Sequence, residues 1–85
     1  MTIIDVRSKG EFKQEHVKGA MWLDVERIAA GETPDVPKDE QIVLYCRSGA
    51  RSSVAAHLLQ AKGFANATSG GGLAQMSMHG YKIVR

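Results

Sequence analysis

The chain has 85 residues, 44% of them hydrophobic and 24% charged, with a formal net charge of +2. That length supports one domain with a modest core, the composition is that of an ordinary globular protein with both signs of charge interspersed, and the small net charge gives no electrostatic case for nucleic acid or an anionic membrane as partner. A single cysteine excludes an internal disulfide, so no disulfide framework holds the chain.

The opening run "TIIDV" (residues 2–6) is rich in β-branched residues and reads as a strand. No basic stretch leads into an apolar one at the start, and no run is long enough to cross a bilayer, so a cytoplasmic protein with no membrane partner is expected. In "SKGEFKQEHV", Ser8 and Glu11 stand at capping-box spacing and predict one or two helical turns. Gly10 leaves a polar loop as the competing reading. "AMWL", after Gly19, predicts a short second strand. "DVERIAAG" predicts a helix capped by Asp24, with Val25, Ile28 and Ala29 on one face and Gly31 as its stop. "GETPDVPKDE" carries both prolines and reads as a loop.

"QIVLY" is continuously apolar from Ile42 to Tyr45, as a central strand covered on both faces would be. "RSSVAAHLLQAKG" predicts the main helix. Val54, Ala55, Leu58 and Leu59 form an apolar stripe, Lys62 snorkels at its edge, and Gly63 ends it. "FANAT" predicts one more strand, "SGGGLAQMSMHG" a glycine turn followed by a short helix, and "YKIV" a closing segment. Strands alternating with helices predict an α/β fold over residues 1–85, with a mainly parallel central sheet flanked by helices. In such sheets, sites gather at the carboxyl ends of strands.

Cys46 stands at the carboxyl end of the strongest strand, directly before the strongest helix. Residues 47 to 51 must turn the chain between the two, and their N–H groups can line a nest for an anion. Gly49 tolerates the positive φ a tight loop needs. The helix start carries unpaired N–H groups and a partial positive charge, and Arg47 and Arg51 add full ones. Ser48, Ser52 and Ser53 supply hydroxyls. All of this favours thiolate over thiol and predicts an activated nucleophile beside an anion cradle. The competing readings are a small core hydrophobe for Cys46 and solvated surface charge for the arginines. His16 reads as a turn position. His57 and His79 lack ligand spacing with Cys46, so no metal site is expected. Gly70 to Gly72 lack the Lys-Ser/Thr of a phosphate loop and read as a turn that brings backbone close to the Cys46 loop.

Three segments, "IIDVRSKGEFKQEHVKGA", "CRSGARS" and "GFANATSGGGLAQM", occur in the order in which the rhodanese family carries its signatures, and the chain resembles a single-domain member of that family of thiosulfate sulfurtransferases. The resemblance implies that Cys46 takes sulfur from thiosulfate or a similar donor as a persulfide and passes it to cyanide or a thiol, including a protein thiol. The loop residues Arg47, Ser48, Gly49, Ala50, Arg51 and Ser52 would bind the persulfide. Asp5 and Arg7 would tie the first strand to neighbouring loops. Glu11 would pair with Arg51, in a place where some two-domain relatives have an arginine for the donor. The resemblance implies no metal, no organic cofactor and no nucleic-acid partner, and a monomer is expected. Residues 47 to 50 separate Cys46 from Arg51, a loop one residue shorter than that of the phosphatases of the same fold, which opposes a phosphatase or arsenate reductase. Met76 stands near the place of a common family tryptophan, which implies a more open pocket. A rhodanese-fold binding or redox-sensing module is the alternative from a different class.

Overall fold

The computed structural model describes all residues, 1–85. Its elements are β1 (Thr2–Asp5), α1 (Lys9–Gln14), β2 (His16–Val17), β3 (Met21–Trp22), α2 (Val25–Ala29), β4 (Ile42–Cys46), α3 (Ala50–Ala61), β5 (Ala67–Gly72), α4 (Leu73–Met78) and β6 (Ile83–Val84). Four parallel strands form the central sheet in the order β3-β1-β4-β5. Its two inner strands are the two β-branched or continuously apolar runs, as expected of strands covered on both faces. β2 and β6 pair antiparallel beside it.

Strand alternation divides the core in two. Ile4, Ile42, Leu44 and Cys46 join Ile28, Ala55, Ala56, Leu59 and Phe64 in a cluster under α2 and α3. Ile3, Val43 and Tyr45 look to the other face, where Val17 and Met76 complete a smaller cluster. Both halves of the capping box at Ser8 and Glu11 are made, so α1 forms despite Gly10. Asp24 caps α2 through the Arg27 N–H, and Gly31 follows at φ +113°.

Four expectations are corrected. The inner face of α3 is Ser52, Ala55, Ala56 and Leu59, while Val54 is 53% exposed; the helix is turned so that its hydroxyl, not its valine, meets the sheet. In α2 only Ile28 is buried, and Ala29 faces out. Of "FANAT" only Ala67 and Thr68 are strand, since Ala65 and Asn66 turn the chain and β5 begins at Ala67. The glycines 70–72 are therefore not a turn but the end of β5. The strand runs on through an irregularity: Gly71 stands at φ +89°, and Gly72 pairs again with β4, opposite Cys46.

Candidate active site

Cys46 is the last residue of β4, and its side chain is 1% exposed. Residues 47–49 fold back over it. Gly49, at φ +101°, turns its N–H to the sulfur at 2.9 Å and then starts α3. A Cβ on Gly72 would overlap the carbonyl oxygen of Arg47, and one on Gly49 would lie 3.5 Å from the Gly71 Cα. The glycine end of β5 thus lets two backbones meet beside the thiol.

The Ser52 hydroxyl, fully buried, lies 3.6 Å from the Cys46 sulfur. Burial pushes the thiol up. The Ser52 hydroxyl and the N–H groups of Ser52, Gly49 and Ser48 outweigh it and hold the thiol below its ordinary value. The direction matches the sequence reading, but the cause differs. The arginines are not the main source. Arg47 has its side chain 77% exposed. Arg51 gives Nη1 to Glu11 Oε1 at 2.9 Å and Nη2 to Oε2 at 3.3 Å, so its charge is answered by a carboxylate. The hydrogen bonds from Arg51 hold Glu11 down at about 2. Ser48, Ala50 and Ser53 have exposed side chains.

Asp5 and Arg7 form a buried, bidentate ion pair at the end of β1, with Nη2 2.8 Å from Oδ2. The same Nη2 reaches the Glu15 carbonyl at 2.6 Å and so holds the end of α1. Tyr45 donates its hydroxyl to Asp5 Oδ2 at 2.9 Å and accepts the Val17 N–H at 2.9 Å. This network lies on the opposite sheet face from the thiol and sets where α1, and with it Glu11, stands. His16 binds the Phe12 carbonyl through Nδ1 and stacks on the Phe12 ring, a structural contact.

Two hollows flank the Cys46 loop. One is bounded by Val6, Ser8, Asp24 and Arg51, the other by Glu15, Arg47, Leu73 and Ala74; Arg7 borders both, and Cys46 neither. Sequence reasoning missed Ser69. Its hydroxyl is 2.7 Å from that of Ser52. Only the strand register, which pairs Leu44 with Ser69, discloses that position.

Residues 1–77 match the model of the Rhodanese-like domain family. The chain is 34% identical over 83 residues to a sulfurtransferase of Allochromatium vinosum, spanning 96% of this chain and 77% of that protein. It is 32% identical over 76 residues to the thiosulfate sulfurtransferase PspE of Escherichia coli, spanning 88% and 73%. Among solved structures, the Rhodanese_3 like domain of the Anabaena Alr3790 protein superimposes with a TM-score of 0.86 at 28% identity, over 100% of this chain and 99% of that one. A rhodanese with anions from E. coli does so with a TM-score of 0.82 at 29% identity, over 99% and 96%.

Proposed function

Because the chain belongs to the rhodanese-like domain family, we propose that it is a sulfurtransferase that carries sulfane sulfur as a persulfide on Cys46. Its likeness to proteins named sulfurtransferase supports sulfur transfer in general. The observation that supports Cys46 as the carrier is the thiol itself, held below its ordinary value by one hydroxyl and three backbone N–H groups at a strand end.

In the proposed cycle the Cys46 thiolate attacks the outer sulfur of thiosulfate. A new S–S bond forms, the bond to the inner sulfur breaks, and sulfite leaves with its electron pair. The N–H groups of residues 47–52 then hold the terminal sulfur anion. An acceptor thiolate, or cyanide in an assay, attacks that sulfur and returns Cys46 as thiolate. The cycle calls for no metal or organic cofactor. Thiosulfate as donor is suggested by the name of the E. coli relative. We extend the reading to a monomer in a reducing, cytoplasmic compartment, where a lone thiol stays free. No helix is long and apolar enough to cross a membrane.

The 1% exposure of Cys46 favours a second reading, a module that holds an anion without turning it over. Intact-mass measurement separates the two. Under the enzyme reading, thiosulfate adds one sulfur atom to the protein, cyanide removes it, and Cys46→Ser never gains it. If neither thiosulfate nor a polysulfide leaves a sulfur on the wild-type chain, the enzyme reading fails and the module remains.

A further inference from the structure

Ser52 and Ser69 form a hydroxyl chain that starts at the thiol and ends at the surface. The Cys46 sulfur is 3.6 Å from Ser52 Oγ, and Ser52 Oγ is 2.7 Å from Ser69 Oγ. Ser52 is fully buried, whereas Ser69 is exposed. The Gly71 N–H donates to Ser69 Oγ at 3.2 Å and fixes it. Ser52 has other acceptors, the carbonyls of Gly49 at 3.1 Å and Gly71 at 3.3 Å, but Ser69 is the nearest. The arrangement comes from an irregularity in the sheet. β4 and β5 pair Leu44 with Ser69 but Cys46 with Gly72, so β5 carries one extra residue there. Such a bulge re-aims the side chains around it.

We propose that Ser69 is a positioning residue for the Cys46 nucleophile, acting through Ser52 as the outer link of a proton path. In the thiol state the order is Cys46 S–H to Ser52 O–H to Ser69 O–H to water. The sulfur gives its proton to Ser52 Oγ, the Ser52 proton moves to Ser69 Oγ, and the Ser69 proton passes to water. One proton has left, no electrons have moved, and both hydroxyls have reversed. Ser69 now donates to Ser52, and Ser52 donates to the thiolate. With the Gly71 N–H behind them, three donors point one way, and each strengthens the next. Without the Ser69 hydroxyl, Ser52 turns to the carbonyls of Gly49 and Gly71 and the thiolate loses its aligned donor.

The charged groups around the site are few. Arg51 of α3 interacts with the thiolate and is itself countered by Glu11 of α1. Arg47, though mostly exposed, stands 4.0 Å from Glu11 Oε2, and the Asp5–Arg7 pair lies across the sheet, with Tyr45 against it. β5 brings only the Ser69 hydroxyl, and α4 brings the Gln75 amide, which accepts from the Gly72 N–H.

The mechanism rests on the sulfurtransferase reading, but its test does not. The rate of Cys46 alkylation by iodoacetamide is followed against pH by intact mass, in the full chain and in Ser69→Ala, Ser69→Val and Ser69→Thr. Alkylation needs no sulfur donor, so its result stands whatever the turnover assays give. Ser69→Ala and Ser69→Val are expected to shift the rate profile to higher pH and to slow alkylation at pH 7 about fivefold, the ratio a single hydrogen bond sustains. Ser69→Thr, which keeps a γ-hydroxyl, is expected to follow the wild type. Valine suits an exposed strand position, so it serves if alanine loosens β5. A folded Ser69→Val or Ser69→Ala whose profile overlays the wild type would overturn the proposal.

Discussion

Glu11 answers two demands at once. It closes the capping box of α1 through Ser8, and it takes both terminal nitrogens of Arg51. Its carboxyl is drawn from an ordinary 4.5 down to about 2, first by the Arg51 hydrogen bonds and then, against some desolvation, by Ser8. A carboxylate depressed on folding stabilises the fold above its unfolded value and loses that contribution as pH falls through its folded one. The wild type is therefore expected to lose urea resistance between about pH 4.5 and about pH 2, with Glu32 and Glu40 acting in the same sense. Glu11→Gln, which can still close the cap, should flatten part of that loss. The same variant frees Arg51 beside the thiol. If thiosulfate is the donor, its kcat/KM should rise roughly fivefold, the effect of about 1 kcal/mol of part-exposed charge interaction. The gain should vanish in high salt, where such a field is screened. An unchanged kcat/KM at low salt would show that Arg51 does not meet the donor.

At the scale of elements, β5 meets β4, α4 and the loop after Cys46 through atoms that allow no extra volume. Gly72 faces the Arg47 carbonyl and Gly70 faces Met76 and Val43, so neither has room for a methyl group. Gly72→Ala is expected to lower the urea midpoint by about 1–3 kcal/mol of stability. It should also push the 47–49 turn off the thiol, which iodoacetamide would detect as faster labelling. These contacts mark the limit of what the sequence discloses. β1, β4 and the two N-caps are legible because their signals are local: β-branched runs, an apolar run, a serine or aspartate at a fixed spacing. The place of Cys46 follows from the same local logic. The strand character of Ser69 to Gly72 is not legible, since glycine carries no strand signal and only β4 imposes the pairing. The rotation of α3 is hidden from the sequence for a related reason. Val54 has the apolar side chain, but the buried place goes to Ser52, whose value lies in the hydroxyls and sulfur around it. Likewise the arginines read as the source of the thiol's acidity, whereas the pairing of Glu11 with Arg51, implied by the family resemblance and made in the structure, answers the charge of one of them.

For the molecule as a whole, the two faces of the sheet are unequal. Twelve buried residues make the cluster under α2 and α3, and three make the other. The thin side is held together by polar bonds around Tyr45, whose hydroxyl links β4 to both Asp5 and the Val17 N–H. Burial, first of all, pushes that phenol up, so the hydroxyl stays protonated and can donate. Tyr45→Phe keeps the ring but leaves the Val17 N–H unpaired, and is expected to cost about 1–3 kcal/mol in urea unfolding. A cost near zero would mean that water replaces the hydroxyl. The fold also has one sulfur nucleophile, 1% exposed beneath the turn of residues 47–49. A peroxide that reaches it leaves a sulfenic acid with no neighbouring thiol in the chain to condense with, and the next step on that ladder is irreversible. Cover is thus the protection the chain itself provides. Under the proposed cycle the same turn would have to part for any donor, so turnover and oxidative loss would compete for one opening, and a steady supply of donor would become the safeguard of the thiol.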